Sequence, residues 1–400
     1  MCLACCSRAD LSRRHMLKLS ALFTAAGALP LLKAGAARAQ EADPTVRIGY
    51  LPITDATALL IAHARGYFEA EGLRVDKPVL LRNWAQMIEA FFSGQLNVIH
   101  LLSPMAIWAR FGSQAPAKVV AWNHMSGSGI SVQPQIKTVA DLAGKTVAIP
   151  FWYSIHNVVM QNLLKANGLT PVSKRTGQPA AGEVNLVVLP PSDMPPALAS
   201  GRIAGYIVAE PFNAAAEVNG IGRILRFTGD VWKNHACCLV FMHEHDLTHR
   251  PDWSQKVVNA LVKAQLWIRD NRAETARIIS KDGDNRYTPH PLPVLDKVFA
   301  PMTESLAFYE ATGAIQHPDW NEKRIDFQPY PFPSYTQDLV RLLKDSLIEG
   351  DAAFLAGLDP QTAARDLVDD RFVKAAIAAS GGLPAFGMPD SFTRTEVIVP

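Results

Sequence analysis

Two cysteines stand side by side in the segment Trp232-Lys233-Asn234-His235-Ala236-Cys237-Cys238. Adjacent thiols can hold a soft metal, close a vicinal disulfide, or be one core cysteine beside an incidental one. Neighbouring side chains on a strand point to opposite faces, so at most one of the pair, taken here as Cys238, is expected to face a cleft. His156 follows Tyr153 and Ser154. An imidazole there either donates to a ligand oxygen or lies on a helix surface. Trp84 and Trp152 either wall a ligand or fill core. Glu210 ends an apolar stretch, where its carboxylate can meet a ligand or cation, or sit at the positive end of the next helix. His243-Glu244-His245-Asp246 with His249 has the composition of a metal cluster. Only His245 and His249 have i, i+4 spacing, and the order H-E-x-x-H is absent, so a solvated helix start explains the cluster. No P-loop, G-x-G-x-x-G or G-x-S-x-G occurs, and Ser126-Gly127-Ser128-Gly129 is too short to cradle phosphates alone. No catalytic set, metal or cofactor is expected.

The elements that would position these residues alternate. Val46 to Leu51, Val79 to Leu81 and Asn97 to Leu102 read as strands. Between and after them, helices are expected from Thr54 or Asp55 to Ala64, over Trp84 to Phe92, and from the cap Ser103 with Pro104 to Phe111. Lys118 to Trp122 and Gly129 to Val132 read as two strands joined by a polar turn. A second set follows: strand Thr146 to Ile149, helix Ser154 to Asn167, loop Pro171 to Gly182, strand Val184 to Leu189, helix Ser192 to Ala199 and strand Ile203 to Val208. Ala236 to Phe241 is one more short apolar run. Beyond Asp252 the pattern turns helical, with one helix over Ser254 to Ser280 and another over Leu339 to Ile348. Two alternating sets predict an α/β fold of two lobes with crossover strands between them and a helical C-terminal third. Ligands in open α/β sheets sit beyond the carboxyl ends of strands. Here those ends are Pro52 to Asp55, Arg82 to Trp84, Ser103, Phe151 to His156, Pro190 to Asp193 and Glu210 to Asn213.

Composition narrows the class. The chain has 400 residues, 48% hydrophobic and 19% charged, which excludes a disordered or collagen-like chain. The formal charge is +2, but residues 1–39 carry six basic residues and one acid, leaving 33 basic against 36 acidic residues beyond them. A slightly acidic body does not suggest a nucleic-acid binder. Three of the five cysteines, Cys2, Cys5 and Cys6, precede the body, so no disulfide framework can be built.

Residues 1–39 have the layout of an export signal. Ser12-Arg13-Arg14-His15-Met16-Leu17-Lys18 precedes a weakly apolar run, Leu19 to Leu32, too short to span a bilayer. Ala37-Arg38-Ala39 then offers a cleavage site. The arginine pair resembles that of a twin-arginine signal, which predicts a periplasmic protein.

Six stretches resemble the nitrate/sulfonate/taurine group of ABC-transporter substrate-binding proteins, and most of all its nitrate- and bicarbonate-binding branch. They are Arg47 to Asp55 (R-I-G-Y-L-P-I-T-D), Ala64 to Leu73 (A-R-G-Y-F-E-A-E-G-L), His100 to Met105 (H-L-L-S-P-M), Ala148 to Asn157 (A-I-P-F-W-Y-S-I-H-N), Leu189 to Met194 (L-P-P-S-D-M) and Gly205 to Asn213 (G-Y-I-V-A-E-P-F-N). The resemblance implies a type II-like periplasmic-binding-protein fold closing over a small solute. It implies an inner-membrane permease and ATPase as partners, a monomeric receptor, and a ligand set of Thr54, Asp55, Trp84, Ser154, His156, Glu210 and Cys238. It divides the chain into a signal (1–39), a first lobe (45–122), a second lobe (129–235), a return to the first (236–385) and a tail (386–400). Nitrate binders of the group usually carry a lysine shortly after a W-x-x-H segment. Cys237 and Cys238 occupy that stretch here, which points away from nitrate toward a neutral or larger solute. An enzyme similar to thiamine-pyrimidine synthases, and a ligand sensor using the same cleft, are the competing functions.

Overall fold

The computed structural model describes residues 45–174 and 176–400. The export signal expected over residues 1–39 lies outside them.

The first set of elements runs β1 (Ile48–Tyr50), α1 (Thr57–Ala64), β2 (Val79–Leu80), α2 (Trp84–Phe92), β3 (Val98–Leu102), α3 (Ser103–Ile107) and β4 (Ala117–Trp122). The chain then crosses to β5 (Ser128–Val132), β6 (Lys145–Ile149), α4 (Ile155–Ala166), β7 (Thr170–Val172), β8 (Glu183–Val188), α5 (Met194–Ala199), β9 (Gly205–Ala209), α6 (Phe212–Val218) and β10 (Arg223–Phe227). It returns through β11 (Cys238–His243) to the helices α7 (Pro251–Asp270), α8 (Arg272–Ile279) and α9 (Pro333–Lys344).

The strands make two sheets, one per lobe. The first has the order β2-β1-β3-β11-β4, with β2, β1 and β3 parallel and β11 antiparallel to both of its neighbours. The second has the order β7-β8-β6-β9-β5-β10, with β5 antiparallel to β9 and β10. The chain therefore passes between sheets twice, at residues 123–127 and 228–237. β3 is buried along its whole length, as a near-continuous apolar run in a helix-covered parallel sheet should be. The first crossing turns on Ser126 and Gly127, both left-handed (φ 56 and 79). Glycine takes that conformation without strain. A Cβ on Gly127 would also lie 3.0 Å from the Ile325 side chain.

Several expected elements differ in detail. Neither Thr54 nor Asp55 caps α1; a 3-10 turn, Thr54–Ala56, comes first, and both side chains face inward. Ser103 does not cap α3 either, its hydroxyl meeting Tyr335 Oη at 2.7 Å instead. Part of the expected Pro171 to Gly182 loop is the edge strand β7, where Pro171 is tolerated because an edge strand pairs on one side only. β10 escaped notice because Arg226 interrupts its apolar run; the guanidinium is buried against Asp230 at 2.5 Å. The long C-terminal helix is two helices broken at Asn271, whose φ of −128 and ψ of 48 leave the helical region.

One hydrophobic core runs through both lobes. In the first lobe Phe91 and Phe241 pack at 5.5 Å, each burial stabilising by roughly 1.5–3 kcal/mol. α7 lies against α1 and a later helix, Arg371–Ala379. The last residues run beside the second crossing: Val399 N–H donates to Val231 O (2.7 Å), Lys233 N–H to Val397 O (3.0 Å), and Trp232 Nε1–H to Glu396 (2.8 Å). Among the described residues no helix is long and apolar enough to cross a membrane.

Candidate functional site

Polar side chains gather where the carboxyl-end loops of the two sheets meet. From the first lobe come Asp55, in the turn after β1, His124, just past β4, and Cys237-Cys238, at the head of β11. Cys238 pairs with Leu102, so the head of β11 lies beside the carboxyl end of β3. The second lobe contributes Ser128, which begins β5, and His156, in the first turn of α4. All six side chains are buried.

Asp55 Oδ2 lies 3.1 Å from His124 Nε2, with both side chains wholly inaccessible. Burial opposes the charge on Asp55, but the His124 charge and hydrogen bonds from His124 and both thiols hold its carboxyl well below the usual carboxylate range. Burial likewise opposes charge on His124, and Asp55 reverses this, lifting the imidazole to about 10. The pair is a carboxylate and an imidazolium that neutralise each other. The two thiols converge on it: Asp55, Cys237 and Cys238 each place a donor atom within 4.8 Å of the others. Both thiols thus lie near Asp55, although strand alternation predicts that neighbouring side chains turn apart. β11 begins at Cys238, so Cys237 precedes the strand and escapes its alternation. Burial pushes the Cys238 thiol up. For Cys237 burial acts the same way, but a hydrogen bond from Cys238 and the neighbouring histidines bring it down to about 6.

His156 joins the lobes. Its Nε2 is 3.0 Å from Ser128 Oγ and 3.7 Å from Cys237 Sγ, while Nδ1 is buried without a hydrogen-bond partner. Trp84 leans on His100 at 5.3 Å between ring centres. His100 Nε2 accepts from Leu51 N–H (2.9 Å), which leaves Nδ1 to carry the proton. That nitrogen and Trp84 Nε1 are both buried and unpaired. His235, from the second crossing, is bound to Thr228 Oγ1 at 2.8 Å and kept neutral by burial.

The other sequence candidates lie apart from this group or do structural work. Ser154 caps α4, accepting from Asn157 N–H (3.0 Å) and donating to Phe151 O (2.7 Å). Thr54 ties the lobes together, its N–H and hydroxyl both donating to Glu210 O (2.9 and 3.1 Å). Glu210 has both carboxylate oxygens engaged, one by Arg324 and one by Ala214 N–H, each at 2.9 Å. Lys233 lies over the Trp320 ring, 5.1 Å from its centre. His245 and His249 stack on each other at the exposed start of a helix, Glu244–His249. His124 and Arg324 were absent from the sequence reading, and His100 entered it only as the first residue of a resembling stretch. His124 follows Asn123 in a turn that matches no motif, and only folding carries it to Asp55.

The binding protein NrtA of Nostoc sp., named for nitrate and nitrite, is 26% identical over 287 residues, covering 66% of this chain and 62% of that protein. The match thus spans less than two thirds of that relative's length. NrtC of Synechocystis, a nitrate import ATP-binding protein, is 27% identical over 238 residues, covering 56% of this chain and 35% of that one. The crystal structure of the periplasmic nitrate-binding protein NrtA from Synechocystis superposes with a TM-score of 0.71 at 20% identity, over 89% of this chain and 94% of that one. At that identity the likeness shows the fold, which is the two-lobed periplasmic-binding-protein fold that the resemblance implied. The NMT1-like family model matches residues 39–281, more than half of the sequence, and the chain belongs to that family.

Proposed function

We propose that this chain is the solute-binding component of an ABC importer, a monomeric receptor that takes one small molecule between its lobes and hands it to an inner-membrane permease and ATPase. The observation that carries the reading is the set of buried polar atoms without hydrogen-bond partners near the junction of the sheets: Trp84 Nε1, His100 Nδ1 and His156 Nδ1. Each unmade hydrogen bond costs about 1–3 kcal/mol, so a ligand that supplies the partners is favoured. The resemblance to nitrate-transport proteins supports the same reading.

The solute we propose is larger or less charged than nitrate. Asp55 and His124 cancel each other, the Cys237 thiol, brought down to about 6, adds negative charge near neutral pH, and no lysine stands among these groups. Neither thiol brings positive charge. Calorimetry should therefore show little heat with nitrate on the unmodified protein, and Cys238→Lys should bind nitrate at least tenfold more tightly. Tight nitrate binding by the unmodified protein would show that imidazoles and backbone N–H groups suffice.

An enzymatic role has one observation in its favour, the 3.7 Å approach of Cys237 Sγ to His156 Nε2, a nucleophile beside a base. Incubation with a bound solute separates the readings: a receptor returns it unchanged, an enzyme does not. We further propose export to the periplasm by the twin-arginine route. Arg13→Lys with Arg14→Lys should strand the precursor in the cytoplasm, and normal export of that variant would remove the claim.

A further inference from the structure

We propose that Asp55, Cys237 and Cys238 form a three-donor site for a thiophilic divalent cation of the zinc class. The three donor atoms lie within 4.8 Å of one another, and all three side chains are buried. In a tetrahedral zinc site, with bonds of about 2.3 Å to sulfur and 2.0–2.2 Å to oxygen, donors stand roughly 3.5–3.8 Å apart. Contraction by about an ångström or less converts the one arrangement into the other. Two sulfurs and one carboxylate select zinc, cobalt or cadmium over calcium and magnesium, which take oxygen ligands.

Three further observations support the site. Its donors all come from the first lobe, Asp55 after β1 and the thiols at the head of β11, so lobe closure is not needed to assemble them. The Asp55 carboxylate is wholly buried, and both thiols lie against it. His124, 3.1 Å from Asp55 Oδ2, steadies the carboxylate in the way outer-shell groups steady metal ligands. As the cation binds, any proton still on either sulfur passes to solvent, and each sulfur donates an electron pair to the metal. The fourth position falls to the second lobe or to solute, since His156 Nε2 comes within 3.7 Å of Cys237 Sγ only across the lobe junction. The cation would sit in the cleft assigned above to the solute, as its cargo or as part of its seat, and the inference rests on that reading only for this role.

The test uses cobalt(II) as the probe, on the full chain with Cys2, Cys5 and Cys6 replaced by serine so that only the buried pair remains. Titration after reduction and chelation should give thiolate-to-cobalt charge-transfer absorption saturating at one equivalent, and zinc should bleach it. Cys237→Ser with Cys238→Ser should abolish the absorption, and Asp55→Asn should weaken binding at least tenfold. His249→Ala, which alters the exposed histidine stack, should leave it unchanged. Because the cysteine variants could misfold, the rate of alkylation of the unmodified pair in the native protein, followed with and without zinc, gives a second reading. Zinc should slow modification at least tenfold. No charge-transfer band, a band that survives loss of both thiols, or no protection would overturn the proposal. A solute that still raises the melting temperature of a protein showing none of these effects would leave the receptor reading standing without the metal.

Discussion

The side chains that gather at the lobe junction were legible in the sequence one at a time and illegible as a group. Asp55, Trp84 and His156 stood out because they lie at strand ends, and Cys238 because it is one of two adjacent thiols where the resembling nitrate binders carry a lysine. Their partner His124 carried no signal, since the contact joins positions 55 and 124 through tertiary folding alone. The same holds for Glu210. Its residue type suggested a ligand, yet it answers Arg324, far along the chain and missing from any local pattern. Buried histidines give a measurable signature at this scale. Burial lowers the His100 imidazole from 6.5 to about 4, with Asp55 pulling it up and His124 pushing it down. The unfolded chain takes a proton near 6.5, the folded chain only near 4. The resulting stability is complete above the higher value and is lost as the pH falls from 6.5 through about 4, roughly 3 kcal/mol from this group. Denaturant unfolding across that interval should show the decline. His100→Gln, whose amide oxygen can still accept from Leu51 N–H, should flatten it by that amount. An identical slope in both proteins would mean that His100 is not held neutral.

The elements were read more successfully than their ends. The helix expected over Trp84 to Phe92 forms with those bounds, because an asparagine cap and an amphipathic face coincide there, Asn83 accepting from Gln86 N–H at 3.0 Å. Capping residues failed where the fold had other uses for them: Ser103 reaches Tyr335, and Thr54 reaches across to Glu210. Strands with a proline or a buried arginine, β7 and β10, were missed because their apolar patterns are broken. Ser154 is a cap that kept its expected place, and it orients the turn that presents His156. Ser154→Ala should lower the unfolding free energy by about 1 kcal/mol, the ordinary value of an N-cap hydroxyl. It should also weaken solute binding through His156. A calorimetric melt checks the first effect, and a variant as stable as the parent would show that the turn is held by the α4 backbone alone.

At the scale of the molecule, the alternation of strand and helix foretold two lobes, and the two crossings between sheets are what let a loop from each meet at one place. Sequence periodicity gives the layers of such a fold, but it does not say which loop of one lobe faces which loop of the other. That pairing depends on the antiparallel return of β11 into the first sheet, which delivers both thiols to the strand ends. The central claim is that this junction holds a single small solute. A thermal-shift panel on the purified protein tests it most directly, with nitrate, nitrite, bicarbonate, sulfonates, taurine, pyrimidines and flavins each offered to the unmodified chain and to His156→Ala. A ligand at 100 times its dissociation constant stabilises by about 2.7 kcal/mol, a shift of several degrees. The account predicts that one compound class raises the melting temperature of the unmodified protein and that His156→Ala, itself melting somewhat lower because it loses the buried bond to Ser128, shows little of that shift. A panel in which nothing shifts the protein, or in which the same compound shifts both forms equally, would contradict it.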